Sequence, residues 1–294
     1  MRVRRFRTAA LTCALALGTL GLAGCGGGDS GTEVEVKKDA TFEAGTTMAK
    51  LSDAGKMTVG VKIDQPGIGF MKPGTDEPEG FDIEIAKIVA GALGIDPAKV
   101  EWKETVSKNR EPFLQNGTVD IVTASYSITD ERRQVVGQAG PYYVTGQQLL
   151  VREEDKGSIT GPDQLSGKKV CSVTGSTSIK TVEEKYAAKP VPFGTYTECV
   201  QQLLSGSVDA VTTDGAILLG YAAQQPDKLE VVGEPFSEER YGIGFKKGDA
   251  AFCEFLNDTL QKAFDDGTWK KAFDATLGES GVEAPEPPTL DPCS

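Results

Sequence analysis

Short apolar runs rich in β-branched residues alternate along this chain with segments whose apolar positions recur every three or four residues. The runs predict buried strands, and the three-to-four spacing predicts amphipathic helices. Strands are predicted at 57–63, 119–123, 169–173 and 208–212. Helices are predicted at 82–93, 178–188, 198–204, 215–223, 250–265 and 269–277. Such alternation is typical of an α/β fold.

One segment occurs twice, at 114–125 and again without a gap at 203–214. Each copy has the pattern of a helix end, a glycine stop at Gly117 or Gly206, and a buried strand. A weaker echo relates 55–61 to 167–173. Because the two echoes come in the same order, they predict two similar lobes.

Polar residues stand at the carboxyl ends of the predicted strands. Ser125 and Asp214 end the two copies of the repeat at equivalent positions, and Lys62 and Thr174 close the other two strands. Ligands of α/β sheets bind beyond the carboxyl ends of the strands. If the lobes face each other, these four residues line the cleft between them.

The N-terminus has the pattern of an export signal. Residues 1–24 hold four arginines, no acid and an apolar stretch too short to span a bilayer. The sequence Leu22-Ala23-Gly24-Cys25 resembles a bacterial lipoprotein signal, which implies palmitate-like acyl chains on Cys25 and anchoring to the extracytoplasmic face of the cell membrane. The alternative is an ordinary secretion signal cut near Ala23. Residues 25–50, rich in Gly, Thr, Glu and Lys, are interpreted as a flexible tether.

The composition excludes several classes of protein. The chain has a formal net charge of −12, and loss of the four arginines in residues 1–24 brings it to −16, which repels nucleic acid. It has no histidine, so Ser-His-Asp and Cys-His catalysis are excluded and the commonest zinc ligand is missing. We therefore expect no metal, no cofactor and no nucleic-acid partner.

Four cysteines lie in the part of the chain predicted to fold, at Cys171, Cys199, Cys253 and Cys293. An even number outside the cytoplasm predicts two disulfides, and the count alone allows three pairings. None of these cysteines has CxxC spacing, which argues against a metal site.

Four motifs, in order, resemble the family-3 extracytoplasmic solute-binding proteins. They are Gly80-Phe-Asp-Ile-Glu-Ile-Ala-Lys-Ile-Val89, Ser125-Tyr-Ser-Ile-Thr-Asp-Glu-Arg132, Gly175-Ser-Thr-Ser178 and Asp266-Gly-Thr-Trp-Lys-Lys-Ala-Phe273. The resemblance spans 55–278 and implies the two-lobed periplasmic-binding-protein fold of type II, which delivers amino acids to an ABC importer. It implies one lobe from 51–147 with 242–294, and another from 148–241. The hinge would be two crossing segments, near 143–148 and 240–245.

The resemblance also implies roles for the cleft residues. Arg132 would hold the α-carboxylate of the ligand through a bidentate fork, with Ser176 and Thr177 adding donors at a helix start. Asp214, helped by Ser125 and Ser127, would accept hydrogen bonds from the α-ammonium group. The alternatives are that Arg132 is a solvated residue of a charge run and that Ser176, Thr177 and Asp214 only cap helices.

Two further cations point to an acidic ligand. The segment around Arg110 is similar to the one that, in the aspartate- and glutamate-binding branch, places an arginine against the side-chain carboxylate. Lys62 stands where that branch has an arginine, and Tyr196 stands near where it has a histidine. The resemblance implies L-glutamate, with L-aspartate as the second acidic candidate. A strand-edge surface lysine and a solvated helix-start arginine are the alternatives for Lys62 and Arg110.

Three other functions stay open at this point. A glutamine or other polar amino-acid binder would not need Lys62 and Arg110. A cleft enzyme resembling the dehydratases of this fold is another alternative, but the chain has no histidine and the sequence shows no isolated cleft acid beyond Asp214, so we expect no enzyme. A sensory ligand-binding domain would need a separate signalling partner. The expected partners are the amino acid, ABC permease subunits and the membrane, with the protein itself a monomer.

The expected lobes also select one cysteine pairing. Cys171 and Cys199 would both lie in the second lobe, and Cys253 and Cys293 would both lie in the first. We therefore predict disulfides Cys171–Cys199 and Cys253–Cys293.

Overall fold

Residues 34–293 are described by the structure, a computed structural model. The strands are β1 (Met57–Val61), β2 (Asp64–Gln65), β3 (Gly69–Phe70), β4 (Val100–Glu104), β5 (Ile121–Thr123), β6 (Gly137–Thr145), β7 (Gln147–Arg152), β8 (Lys169–Val173), β9 (Lys189–Phe193), β10 (Ala210–Asp214), β11 (Leu229–Val232) and β12 (Glu239–Phe245). The α-helices are α1 (Thr47–Ala54), α2 (Phe81–Ala92), α3 (Arg110–Gln115), α4 (Asp130–Arg133), α5 (Thr177–Lys185), α6 (Tyr196–Leu204), α7 (Gly215–Gln224), α8 (Ala250–Asp265) and α9 (Thr268–Asp274).

Two five-stranded mixed sheets form the centres of two lobes. The first has the order β4-β1-β5-β12-β6 and the second the order β9-β8-β10-β7-β11. In each sheet the first three strands of that order run parallel, and the fourth is antiparallel to both of its neighbours. The predicted α/β fold with two lobes is confirmed. A short ribbon of β2 and β3 belongs to the first lobe.

The sequence repeat corresponds to equivalent strands in the two sheets. β5 and β10, the strands of the two copies, occupy the same central place in their sheets. In the first copy Asp120 accepts a hydrogen bond from the backbone N–H of Thr58 at 2.8 Å. In the second copy Asp209 accepts one from Lys169 at 2.7 Å. Each aspartate thus ties its strand to the neighbouring parallel strand in the same way.

The chain crosses between the lobes twice. The first crossing is Gly146, between β6 and β7, and the second is 233–238, between β11 and β12. A Cβ at Gly146 would lie 2.5 Å from the carbonyl oxygen of Ser237, so the two crossings touch at a point that only glycine permits. The sequence places the second crossing near 240–245, but those residues lie within β12. The ladder of β12 with β6 begins at Glu239, so residues 239–241 pair in the first sheet.

Residues 34–50 differ from the tether expected there. Phe42 lies edge-on to Phe255 of α8, with ring centroids 5.6 Å apart. The backbone N–H of Lys37 donates to Gly91 of α2 at 2.9 Å, and α1 begins within this range at Thr47. A few apolar side chains suffice to hold the segment against the first lobe, despite its polar composition. The predicted signal at 1–24, Cys25 and the remaining tether residues lie outside the described residues.

Both predicted disulfides are confirmed. Cys171 of β8 is bonded to Cys199 of α6, and Cys253 of α8 is bonded to Cys293 near the C-terminus. The first ties a strand to a helix of the second lobe, and the second fixes the C-terminal segment to the first lobe. Between residues 34 and 293, no helix has the length and apolar character needed to cross a bilayer.

Candidate ligand-binding site

A small polar cavity of about 10 Å³, with hardly room for one water molecule, lies between the lobes, at the carboxyl ends of the central strands. We call it the cavity. Its lining side chains are Ser107, Arg110, Ser125, Ser127, Arg132, Ser176, Thr177, Ser178, Tyr196, Thr213 and Asp214. Eight of the ten predicted ligand residues are in this set, Tyr196 among them, whereas Lys62 and Thr174 are not. The lining carries two guanidinium groups and one carboxylate.

Arg110 and Arg132 are stacked on the same aromatic ring. Their guanidinium carbons lie 4.5 Å and 4.9 Å from the centroid of Tyr126. The side chains are only 2% and 8% exposed, so the solvated interpretations of both arginines are wrong. The negative face of the ring offsets part of the repulsion between two buried cations. Burial, followed by the charge of Arg132, lowers the pKa of Arg110 to about 10.

The first lobe holds the two guanidinium groups in fixed orientations. Arg110 donates from Nε to Ser107 and from Nη1 to the carbonyl oxygens of Ala124 and Ser125, at 3.1–3.2 Å. Arg132 donates from Nη1 to the carbonyl oxygen of Ser127 at 2.7 Å and from Nε to Glu111 at 3.2 Å. These contacts lie within one lobe, so the cationic wall does not depend on the second lobe.

One carbonyl oxygen of the second lobe meets both arginines. Nη2 of Arg110 and Nη2 of Arg132 each donate to Gly175 at 3.2 Å. Gly175 has a φ of +83°, and a Cβ there would lie 2.9 Å from the Cα of Lys108 in the first lobe. The lobes are therefore in close contact at this point. A ligand carboxylate could replace this neutral carbonyl with a stronger, charge-assisted acceptor.

Asp214 faces the arginines from the end of β10. It is 4% exposed, and its Oδ2 accepts a hydrogen bond from the hydroxyl of Tyr241 at 2.6 Å. Its Oδ1 is buried without a hydrogen-bond partner among the described residues. Burial, and next the charge of Glu239, raises the pKa of Asp214 to about 7. Although Asp214 stands at the N-cap position of α7, its side chain makes no capping bond there. It can therefore accept a hydrogen bond from a ligand cation.

The helix start of the second lobe supplies hydroxyl groups. Ser176 caps α5 by accepting a hydrogen bond from the N–H of Ile179 at 3.1 Å, so capping and cavity lining coexist in one residue. Thr177 donates instead to Glu239 at 2.9 Å. Two other lining residues bond to each other, because Thr213 donates to the hydroxyl of Tyr196 at 2.6 Å.

Glu239 is a second buried carboxylate beside the cavity, so the expectation that the cleft holds no acid beyond Asp214 is wrong. It is 4% exposed and accepts from Ser127 of the first lobe at 2.5 Å and from Thr177 of the second at 2.9 Å. It thus joins two hydroxyl groups that were predicted to hold the ligand. In the sequence it follows Ser237-Glu238 and precedes Arg240, a run that resembles an exposed turn, so no local signal marks it.

Asp82 belongs to the motif at 80–89, but the sequence analysis gave it no role at the site. The structure shows that it supports Ser125. Its Oδ2 accepts from the backbone N–H of Ser125 at 2.6 Å, and its Oδ1 accepts from the hydroxyl of Tyr142 at 2.5 Å. Ser125 has a φ of +43°, which a residue with a side chain rarely adopts. Asp82 therefore fixes the turn that presents Ser125 to the cavity. Burial raises the pKa of Asp82 to about 6.

Lys62 and Thr174 are not brought into the cavity. Lys62 is 2% exposed, which excludes a surface lysine, and its Nζ donates to the hydroxyl of Ser107 at 2.8 Å. It therefore lies behind Ser107, a lining residue. Burial lowers the pKa of Lys62 to about 8. Thr174 is exposed outside the cavity, although it follows β8 as expected. Among the described residues there is no cluster suited to a metal ion.

Comparison with known proteins gives one family match and many relatives. The family described as "Bacterial extracellular solute-binding proteins, family 3" matches residues 57–279. The glutamate-binding protein GluB of Corynebacterium efficiens is 38% identical over 283 residues, which cover 93% of this chain and 91% of that protein. The ABC transporter glutamine-binding protein GlnH of Bacillus subtilis is 39% identical over 266 residues, covering 89% and 94%.

A solved structure agrees with the fold as well. An ancestral arginine-binding protein bound to glutamine superimposes with a TM-score of 0.71 at 37% identity, covering 76% of this chain and 98% of that one. All three proteins are named for binding amino acids, and none is named as an enzyme. Relatives that bind different amino acids are thus about equally similar to this chain.

Proposed function

This chain belongs to family 3 of the bacterial extracellular solute-binding proteins, and from that premise we propose that it binds L-glutamate in the cavity and delivers it to an ABC importer. The observation that carries the proposal is the charge of the lining, with two guanidinium groups and one carboxylate. A bound L-glutamate has two carboxylates and one ammonium group, so each charge would meet an opposite one. L-Aspartate has the same charges on a shorter side chain.

The proposed roles follow from the positions of the charges. Arg132 would bind the α-carboxylate with Ser176 and Thr177, and Asp214 would accept from the α-ammonium group through its unpaired Oδ1. Ser125 and Ser127 would complete that end of the site. Arg110 would face the side-chain carboxylate.

The cavity of about 10 Å³ has no room for an amino acid as it stands, so the lobes would have to separate for a ligand to enter. The ligand would then replace hydrogen bonds that now join the lining residues to their neighbours. The carbonyl of Gly175 would release the two arginines, and Glu239 would release Ser127 and Thr177. A ligand that completes contacts of both lobes binds the closed form more tightly and shifts the population toward it, the hinge closure expected of periplasmic binding proteins.

L-Glutamine is the second candidate, and two observations favour it. The Bacillus subtilis relative named for glutamine is as similar to this chain as the GluB relative. Lys62 lies behind Ser107 rather than in the cavity, so one of the two cations expected for an acidic side chain does not line the site. The cationic excess of the lining favours glutamate over this neutral ligand.

Titration calorimetry of the purified protein with the twenty L-amino acids tests the proposal. We expect stoichiometric binding with L-glutamate tightest, L-aspartate next and L-glutamine weaker. Tightest binding of L-glutamine would replace the proposal by the second candidate. Turnover of a bound amino acid would instead show an enzyme.

We also propose that the protein is anchored to the membrane through lipid on Cys25, on the basis of the Leu22-Ala23-Gly24-Cys25 sequence. Cys25→Ser should move the protein from the membrane fraction to the soluble fraction without changing its affinity for the ligand. Retention of the variant in the membrane fraction would contradict lipid anchoring at this residue.

A further inference from the structure

The C-terminal segment, residues 282–293, is fixed to the first lobe at several points. Besides the disulfide of Cys293 with α8, the backbone N–H of Asp291 donates to Gly140 of β6 at 2.7 Å. Asn257 of α8 donates to the carbonyl oxygen of Asp291 at 2.8 Å and accepts from the N–H of Gly140 at 2.9 Å. The backbone at Asp291 is therefore fixed between α8 and β6.

The side chain of Asp291 binds two arginines at once. Its Oδ2 accepts from Arg133 at 2.7 Å, and its Oδ1 accepts from Arg240. The carboxylate is about one-fifth exposed, and each arginine is less than one-third exposed. Burial opposes ionisation, but hydrogen bonds from Arg240 and Arg133 outweigh it and lower the pKa of Asp291. Asp291 is thus a charged link between two segments that are distant in sequence.

Each of these arginines is the sequence neighbour of a residue that lines the cavity or bonds to its lining. Arg133 follows Arg132 in α4, and Arg240 follows Glu239 at the start of β12. α4 has only four residues, and so short a helix has little stability of its own. Its first turn is fixed by Thr129, which accepts from the N–H of Arg132 at 3.2 Å. Asp291 supplies a second anchor for the same turn through its ion pair with Arg133.

We propose that Asp291 is a positioning residue for the binding site, and that the Cys253–Cys293 disulfide serves ligand binding by holding Asp291 in place. Through Arg133 it sets the orientation of α4 and hence of the Arg132 guanidinium. Through Arg240 it sets the start of β12 and hence the Glu239 carboxylate. Asp291 itself does not line the cavity. The inference rests on the proposed function for the identity of the ligand, but not for the geometry of the link.

Asp291→Asn in the full chain tests the link by calorimetry with L-glutamate and L-glutamine. The Kd of the tighter-binding probe should rise roughly 2- to 30-fold, the range seen when residues that do not contact a ligand modulate its binding. Asp274→Asn is the matched control, because it removes the same charge from an exposed pair with Lys270 on α9. The Kd of the Asp274→Asn variant for the same probe should equal that of the wild-type protein. Both variants are measured well below their thermal midpoints, so that unfolding does not lower the measured affinity.

Two further measurements separate positioning from general stability. The double variant Asp291→Asn with Arg133→Gln should bind no more weakly than Asp291→Asn alone, because Asp291→Asn already breaks the pair with Arg133. In the ligand-free protein, backbone hydrogen exchange of residues 130–136 should be faster in Asp291→Asn than in Asp274→Asn.

Unchanged affinity in Asp291→Asn, or additive losses in the double variant, would overturn the inference. If wild-type protein bound neither probe, the proposed function would fail, and the exchange rates at 130–136 would still decide the link: equal rates in the two variants would overturn it.

Discussion

The two walls of the cavity have the same strand framework but opposite chemistry. In the first lobe Ser125 stands two residues past the end of β5, beside two arginines, and in the equivalent position of the second lobe β10 ends at Asp214. The tie from an aspartate to the neighbouring strand is the same in both copies. The duplicated fold therefore sets where the side chains stand, and the individual residues at those places set the charge.

The walls also differ in how fixed their charges are. Arg110 and Arg132 are held by main-chain carbonyls and by the Tyr126 ring, and arginine stays protonated even with its pKa lowered to about 10. Asp214 has an unpaired oxygen and a pKa raised to about 7, so its charge changes near neutral pH. The first lobe offers a constant charge, whereas the charge of the second lobe depends on pH and on the ligand.

The largest loss of affinity is expected from a change in the first lobe, whose arginines keep a constant charge. Arg132→Ala should weaken every amino-acid ligand, because all share the α-carboxylate assigned to it. Breaking such a buried pair typically costs about 3–5 kcal/mol, which is more than a hundredfold in affinity. Calorimetry with L-glutamate and L-glutamine measures the loss for both.

Arg152→Ala serves as the control for that loss. Arg152 donates to the carbonyl oxygens of Leu203 and Val208 in the second lobe, away from the cavity. Its removal should lower the thermal midpoint and leave the affinity as it was. If Arg132→Ala kept its affinity for either amino acid, the assignment of the α-carboxylate would be wrong.

A smaller change in affinity is expected from pH, because the charge of Asp214 in the second lobe depends on it. Below about pH 7 the Asp214 carboxyl of the ligand-free protein is protonated, and binding an ammonium group requires it to ionise. The Kd for L-glutamate should therefore rise as the pH falls from 7.5 to 5.5, by at most about tenfold per pH unit. Asp214→Asn should bind more weakly and show a much flatter pH profile.

The stability of the ligand-free protein should depend on pH in the opposite sense. The folded-state pKa of Asp214 lies above its unfolded value, so the folded protein holds more protons between about pH 4 and 7. This group's contribution is complete below its unfolded pKa and is lost as the pH rises through 7. Asp82, with its pKa raised to about 6, acts in the same direction. Thermal unfolding with and without ligand checks both signs, and parallel pH trends of affinity and stability would contradict this account of Asp214.

The equivalent strands, the disulfide pairs and most of the lining residues were predicted correctly, because local sequence patterns indicate them. The repeat identified the equivalent strands, and the lobe assignment selected the right cysteine pairs. Most lining residues follow a strand end or start a helix, where polar residue types are informative. Thr174 also follows a strand, but strand position alone does not determine which way the side chain faces.

Residues whose role depends on the path of the whole chain were missed. Glu239 is buried because the chain returns to the first sheet beside the first crossing, and nothing in its neighbours indicates that. Asp82 acts on Ser125, which is 43 residues away in the chain. The segment 34–50 was assigned by its overall polarity, while a few apolar side chains such as Phe42 decide where it lies.

The central claim is that the cationic excess of the cavity selects an acidic amino acid, and the ratio of Kd values for L-glutamine and L-glutamate tests it most directly. Wild-type protein should favour L-glutamate, and Arg110→Gln should reduce that preference by about tenfold, the value of one charge-assisted hydrogen bond of about 1.5 kcal/mol. Lys103→Gln, an exposed cation outside the cavity, should leave the ratio unchanged. A wild-type preference for L-glutamine, or the same ratio in Arg110→Gln as in wild type, would contradict the account.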